Sequence, residues 1–246
     1  MRVKRAGDFN LKKIGIIGGL GPEATIDYYR IIIKSYREKI SEGYPEIIIY
    51  SMDLDKFLKM AKARDRNKMK DKIINWLLKA VNSLHRAGAD FALVASNTPH
   101  IVFDEVEGKS PIPMISIVGE TAKVVEEKGL HKVGLFGTKI TMQSDFYPKV
   151  FSRKGIKIVV PNEVEQNYIN YKLFDELRFG RIVEETQKGF LTIAKRMIVE
   201  DGIEGIILGC TEIPLMLSED EYFAIPFLNT SKIHAKSALE YCLGKE

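Results

Sequence analysis

The sequence predicts an α/β protein made of two similar lobes, each with a mostly parallel sheet and helices on both faces. Three observations carry that expectation. Short apolar runs alternate with helical segments along the chain. The pattern that opens near residue 12 restarts near residue 119. The apolar runs also end in small or hydroxyl-bearing residues, which suit a ligand held at the carboxyl edge of an open sheet. With 246 residues the chain can fill one large domain or two lobes.

The elements follow in order. "KKIGIIGG" (12–19) reads as a buried strand closed by glycines. "PEATIDYYRIIIKSYREKI" follows as a helix with Pro22 in its first turn. "EIIIYSM" (46–52) is a second strand, and "KDKIINWLLKAVNSLHRAG" is a helix that stops at Gly88. "DFALVASN" is the third strand and "IPMISIV" (112–118) the fourth. The helix "GETAKVVEEKG" leads onward, and "HKVGLFGT" (131–138) then repeats the opening strand with its small-residue end. "ITMQSDFYPKVFSRKG" is helical, with a bend expected at Pro148. "IKIVVP" (156–161) and "IEGIILGC" (203–210) are strands flanking two helices. "AIPFLNT" and the helix "SKIHAKSALEYCL" close the chain. This final strand and helix are expected to return to the first lobe, giving 1–118 plus 225–246 for that lobe and 119–224 for the second.

Composition narrows the function classes. Hydrophobic residues make up 45% and charged residues 28%, ordinary values for a globular protein. The net charge of +4 is spread along the chain, so no nucleic-acid partner is expected. The densest basic stretch, "KMAKARDRNKMKDK" (59–72), reads as the solvated start of an amphipathic helix. No apolar run approaches the roughly 20 residues that span a bilayer, so no membrane role is expected. The basic amino terminus "MRVKRAGDFN" is followed by no signal-type apolar segment, and a cytoplasmic protein is the expectation. Two cysteines, Cys210 and Cys242, can build neither a disulfide framework nor a zinc site by themselves. Only three glutamines, against many Ile, Lys and Glu, hint at a thermophilic source.

Two corners stand out, "VASNTPH" (94–100) and "ILGCTEIP" (207–214). Each ends an apolar run and then places a small polar residue, a Thr and a Pro. Cys210 beside a helix start would have a lowered thiol pKa and serve as a reactive group; the bland alternative is a packed cysteine. Ser96, Asn97 and Thr98 could contact a ligand or merely cap a turn. His100 and His234 are packing residues unless they lie near a thiolate, where either could orient or exchange a proton. Glu212 is a first-turn charge or an orienting group. "GIIGGLGPEAT" (15–25) lacks G-x-G-x-x-G, and no G-K-[ST] follows, so it reads as a glycine loop for a carboxylate and not for a nucleotide. Gly19 and the neighbouring strand end, Ser51 and Met52, belong to the same expected ligand-facing edge.

These residues carry a resemblance. In order and spacing, "IGIIGGLGPEATIDYYR", "YSMDLDKF", "SNTPHIVFDEVE", "GTKITMQSDFYPKVF", "VVPNEVEQNYIN", "IILGCTEIPLML" and "NTSKIHAKSALEY" resemble the aspartate/glutamate racemase superfamily over essentially the full length. The resemblance implies two Rossmann-like lobes related by a pseudo-two-fold axis, with the active site between them. It implies a homodimer, and catalysis without pyridoxal phosphate, metal or nucleotide. In that family a cysteine ends one strand in each lobe, and the two thiols serve opposite faces of the α-carbon. Cys210 matches the second thiol. Ser96 stands where the first would be, as in members with a hydroxyl residue there, for which the resemblance implies lopsided racemisation favouring the L form. Asn97, Thr98, Thr138 and Thr211 match carboxylate and ammonium contacts, and Gly19, Ser51, Met52, Glu212 and His234 are further expected substrate contacts.

The chain also departs from the family. Some aspartate-specific members carry an Arg in the loop after the second strand; here "SMDLDKF" has none before Arg64. Some place a Lys near the "EVEQNYIN" helix; here Asn167 and Tyr168 stand there, with Lys172 one turn later. The leading expectation is a cofactor-independent racemase of L-aspartate or L-glutamate with Cys210 as main acid–base and Ser96 opposite. Two alternatives remain open: a single-thiol isomerase or decarboxylase on a related dicarboxylate, and a non-catalytic binder of a small carboxylate.

Overall fold

The computed structural model describes residues 11–40, 42–61 and 65–244. The basic amino terminus, Arg64 and the middle of the 59–72 stretch lie outside the described residues. The chain divides into two compact units, Met1–Ile117 with Ser231–Glu246, and Val118–Thr230.

In the first unit the elements run β1 (Ile14–Gly18), α1 (Pro22–Lys39), β2 (Ile47–Ser51), α2 (Leu54–Ala61), α3 (Arg66–Arg86), β3 (Phe91–Val94), a 3-10 turn (Thr98–Val102), α4 (Phe103–Glu107) and β4 (Met114–Ile115). α5 (Ile117–Glu127) leads into the second unit. There follow β5 (Lys132–Gly137), α6 (Lys139–Gln143), α7 (Phe146–Ser152), β6 (Lys157–Val159), α8 (Glu163–Asp175), α9 (Glu184–Arg196), β7 (Gly205–Gly209), α10 (Ile213–Met216), β8 (Glu221–Tyr222) and β9 (Ile225–Asn229). α11 (Thr230–Cys242) closes the chain.

The first sheet has the order β2-β1-β3-β4, and the second β6-β5-β7-β9-β8. All pairs are parallel except β8 with β9. Leaving aside β8, both sheets arrange their strands second, first, third, fourth. The restart read in the sequence is therefore a repeat of topology.

Strand alternation divides the first core. Ile17, Ala92 and Val94 join the cluster under α3, with Ile73, Leu77, Val81 and Leu84. Ile14, Ile16, Phe91 and Leu93 join the other, with Tyr28, Ile32 and Tyr36 from α1 and Ala235, Ala238 and Leu239 from α11. In the second unit Phe136, Ile206, Leu208 and Phe227 pack against Ile169 and Leu173 of α8 and Phe190, Ile193 and Ala194 of α9.

Several expectations need correction. The strand 225–229 pairs with β7, Phe227 opposite Ile206, so the chain returns to the first unit only from Ser231. The fourth strand shrinks to Met114–Ile115, because helix α5 already begins at Ile117. The segment 140–155 divides at Ser144, not at Pro148. Pro148 is the third residue of α7, where its missing N–H costs no intrahelical bond. The basic stretch 59–72 is the end of α2 and the start of α3, where Asp65 caps by accepting from the Asn67 and Lys68 N–H groups. α2 was not expected from "SMDLDKF". Asp53 starts it by accepting from the Asp55 N–H at 2.9 Å and the Lys56 N–H at 3.2 Å, and Phe57 anchors it on Trp76. Among the described residues no helix is long and apolar enough to cross a membrane.

Phe190 is fully buried, edge-on to Phe136. Phe190→Ala is expected to lower the unfolding free energy by about 3–5 kcal/mol, measured by urea denaturation; a loss below about 1 kcal/mol would show that this core is loosely packed.

Candidate active site

In the first unit the carboxyl ends of β1, β2 and β3 meet. Gly19 has φ +80°, and a Cβ there would lie 2.5 Å from the Met52 nitrogen and 2.8 Å from Ser51 Oγ. Only glycine fits this close approach. The Gly19 N–H donates to Thr25 Oγ1 at 2.8 Å, and the Met52 N–H to the Gly18 carbonyl at 2.8 Å. Gly19, Ser51 and Met52 thus lie side by side at the ends of β1 and β2. The glycine loop, however, already spends the Gly19 N–H on Thr25. Met52 is buried in the core beneath α3, while Ser51 is exposed.

β3 reaches the same corner. The Ala95 N–H donates to the Ile17 carbonyl at 2.9 Å, which holds Ser96 beside the end of β1. Ser96 is half-buried, and among the described residues no group hydrogen-bonds its hydroxyl. Asn97 is buried and Thr98 half-buried, both at the start of the 3-10 turn. The His100 ring acts on backbone. Nε2 accepts from the Ile117 N–H at 3.2 Å, so Nδ1 carries the proton and donates to the Ser96 carbonyl at 2.9 Å. Burial, aided by the neighbouring His234 ring, holds the His100 pKa down to about 3. His100 therefore orients the Ser96 turn as a neutral ring and cannot serve as base for the Ser96 hydroxyl.

His234 is also a pin. It is fully buried on α11. Its Nε2 donates to the Ile115 carbonyl at 2.9 Å, leaving Nδ1 to accept from the Tyr28 hydroxyl at 2.9 Å. Both ring nitrogens are thus engaged by protein groups. Tyr28 escaped sequence reading because its partner lies 206 positions away.

In the second unit the register pairs Gly137 with Gly209, so Thr138 and Cys210 leave adjacent strand ends. Thr138 caps α6 by accepting from the Thr141 N–H at 3.2 Å. Lys139 donates its backbone N–H to Asn170 Oδ1 at 2.8 Å and places Nζ 2.7 Å from Asn167 Oδ1. Lys172 is engaged by Glu176 one turn along α8.

Cys210 is half-buried and Thr211 buried. The Cys210 thiol donates to Glu212 Oε2 at 3.0 Å, and the Thr211 hydroxyl donates to the same oxygen at 2.9 Å. This gathers Cys210, Thr211 and Glu212 as one cluster. The expected lowering of the thiol pKa is overturned. Burial pushes it well up, the Glu212 carboxylate adds to the rise, and the Thr211 and Glu212 N–H groups oppose it only in part. α10 starts three residues later and has only four residues, so its end contributes little. The resting group is a thiol hydrogen-bonded to a carboxylate. The other cysteine, Cys242, is buried on α11, with its pKa raised by burial to about 11.

Ser96 and Cys210 thus follow the third strand of sheets with the same strand order. The sequence profile described as Asp/Glu/Hydantoin racemase matches residues 17–238. The chain belongs to the Asp/Glu/Hydantoin racemase family. It is 28% identical, over 94% of its length and 98% of the relative's, to the broad specificity amino-acid racemase RacX of Bacillus subtilis. The crystal structure of an aspartate racemase homologue from Pyrococcus horikoshii is 38% identical, with a TM-score of 0.77 over 94% of this chain and 99% of that one. The aspartate racemase of Picrophilus torridus shares the fold, with a TM-score of 0.73 at 21% identity over 94% of both chains. This racemase-family chain therefore has an α/β fold of two lobes with mostly parallel sheets, as the sequence led one to expect.

Two expectations test the electrostatics. Glu212→Gln removes the charge that holds the proton on Cys210, so the thiol pKa should fall. The check is the pH dependence of iodoacetamide alkylation, with Cys210→Ala as the blank; an unchanged or higher midpoint contradicts the account. His100 is neutral when folded down to about pH 3 but protonates near 6.5 when unfolded. Its contribution to stability is thus complete above about pH 6.5 and is lost as the pH falls toward the folded value. Between pH 6.5 and 4, unfolding free energy should fall more steeply for the wild type than for His100→Asn; parallel curves would remove the buried imidazole from the acid response.

Proposed function

We propose that the protein is a cofactor-independent amino-acid racemase acting on L-aspartate or L-glutamate, with Cys210 as its main acid–base and Ser96 in the position of the second proton-transfer group. The observation that carries this reading is the matched placement of Ser96 and Cys210 after equivalent strands, with a carboxylate bonded to the thiol. The relatives named as a broad specificity amino-acid racemase and an aspartate racemase homologue support the substrate class.

In the proposed reaction Glu212 takes the Cys210 proton across their hydrogen bond. The thiolate then takes the α-proton from one face of the substrate, leaving a carbanion stabilised by its carboxylate. Return of the proton from Cys210 regenerates the starting enantiomer with isotope exchange. Delivery of a proton to the opposite face gives inversion. The Ser96 hydroxyl has no hydrogen-bond partner among the described residues, so that second delivery uses it as a weak relay and is the slower one. Thr138, Thr211, Asn97 and Thr98 are the proposed contacts for the substrate's carboxylate and ammonium groups. We propose that it works as a cytoplasmic homodimer.

A second reading draws on the raised thiol pKa. A Cys210 held protonated is a ready acid, which suits one-sided protonation of an enolate from a dicarboxylate without an α-amino group. The third reading, a carboxylate binder without chemistry, draws on the same unactivated Ser96.

The test is α-proton exchange in deuterated water, followed by NMR with L- and D-aspartate and L- and D-glutamate. Exchange of an L substrate is expected, falling by about 10²–10⁴-fold in Cys210→Ala, with inverted product accumulating more slowly than label. No exchange with any of the four would end the acidic amino-acid racemase reading; turnover of a dicarboxylate lacking the amino group would favour the one-sided reaction.

A further inference from the structure

Lys139 is placed unlike the other paired lysines of the second unit. Lys154 is matched by Glu126, Lys172 by Glu176 and Lys188 by Glu184. The Lys139 ammonium instead rests on a neutral amide, Asn167 Oδ1, and among the described residues it has no carboxylate within ion-pair distance. Its backbone is fixed as well, by Asn170 one helical turn along α8 from Asn167. A half-buried cation thus stands pre-positioned with its charge uncompensated.

Its address adds the chemistry. Lys139 follows Thr138 at the carboxyl end of β5, the strand whose last residue pairs with Gly209 immediately before Cys210. The thiol cluster and the free cation therefore share one edge of one sheet, inside one unit. The loop after β2 and the α8 positions Asn167 and Tyr168 provide no cation of their own. Lys172, the next cation on α8, is neutralised by Glu176.

We propose that Lys139 selects dicarboxylic substrates by taking the side-chain carboxylate, with Asn167 holding the ammonium in place. The inference deepens the racemase reading for the identity of the substrate, while the preference for a second negative charge can be measured without turnover.

The experiment compares wild type, Lys139→Gln and Lys139→Arg. Exchange kinetics are followed with L-aspartate and with L-asparagine, which has the same shape and no side-chain charge. Calorimetry is run in parallel with succinate and its monoamide. Lys139→Gln is expected to raise KM for aspartate and Kd for succinate by about 10–100-fold. The values for asparagine and the monoamide should change by less than about threefold, and Lys139→Arg should recover most of the loss. Equal losses for charged and uncharged ligands would reduce Lys139 to a prop for α8 and overturn the proposal, as would no loss at all. Succinate binding that depends on Lys139 in a protein that exchanges no amino acid would sustain the selector and sink the racemase reading. Exchange with no preference for the second carboxylate would do the reverse.

Discussion

The candidate site depends on one backbone constraint, the register of β5 against β7. Gly137 lies opposite Gly209, and neither position has room for a side chain. A Cβ on Gly137 would come 2.9 Å from the Gly209 carbonyl, and one on Gly209 2.9 Å from the Phe136 carbonyl. Because parallel strands run the same way, this close pair releases Thr138 and Cys210 at the same edge. Everything argued for the second unit follows from that exit: the α6 cap, the lysine after it and the thiol with its carboxylate. The first unit reaches a comparable corner by other means, with the positive φ of Gly19 and the Ala95–Ile17 bond.

The chemistry of the corner is set by competing local terms. Two backbone N–H groups favour a Cys210 thiolate, while burial and the Glu212 charge oppose it, and opposition wins. A carboxylate two residues after a cysteine can therefore be a proton acceptor and at the same time the reason the proton stays put at rest. That balance is sensitive to a bound cation or ammonium group, which would shift it toward the thiolate.

Much of the fold was legible because the signals were local. Apolar runs of strand length, helix stops at glycine and the restart near residue 119 all depend on neighbours in sequence. The pairing of β9 with β7 was not legible: "AIPFLNT" carries the same signal whichever sheet receives it. The split near Ser144 and the early start of α5 were hidden too, the first by a proline that looked disruptive and was harmless. At the candidate site, the sequence offers small polar residues at strand ends, and the structure adds their burial and partners. Burial separated them: Met52 and His234 proved to be interior groups, and the elevated thiol pKa came from a side-chain partner whose rotamer no sequence shows. Lys139 was in plain view within "GTKIT", yet its significance rests on what it lacks, a carboxylate, and that is a property of three-dimensional surroundings.

The return of α11 to the first unit bears on how the chain is made. Ala235, Ala238, Leu239 and Cys242 complete one face of the β1–β3 sheet, and His234 ties that helix to Tyr28 and the Ile115 carbonyl. Residues 118–230, by contrast, form an uninterrupted stretch with its own core. During synthesis from the amino terminus, the β1–β3 sheet lacks its covering helix until residues 231–242 are made, after all of 118–230 is in place. The order of completion is thus the reverse of the order of translation, and Ile14, Ile16, Phe91 and Leu93 remain without part of their cover until residues 235–242 have emerged.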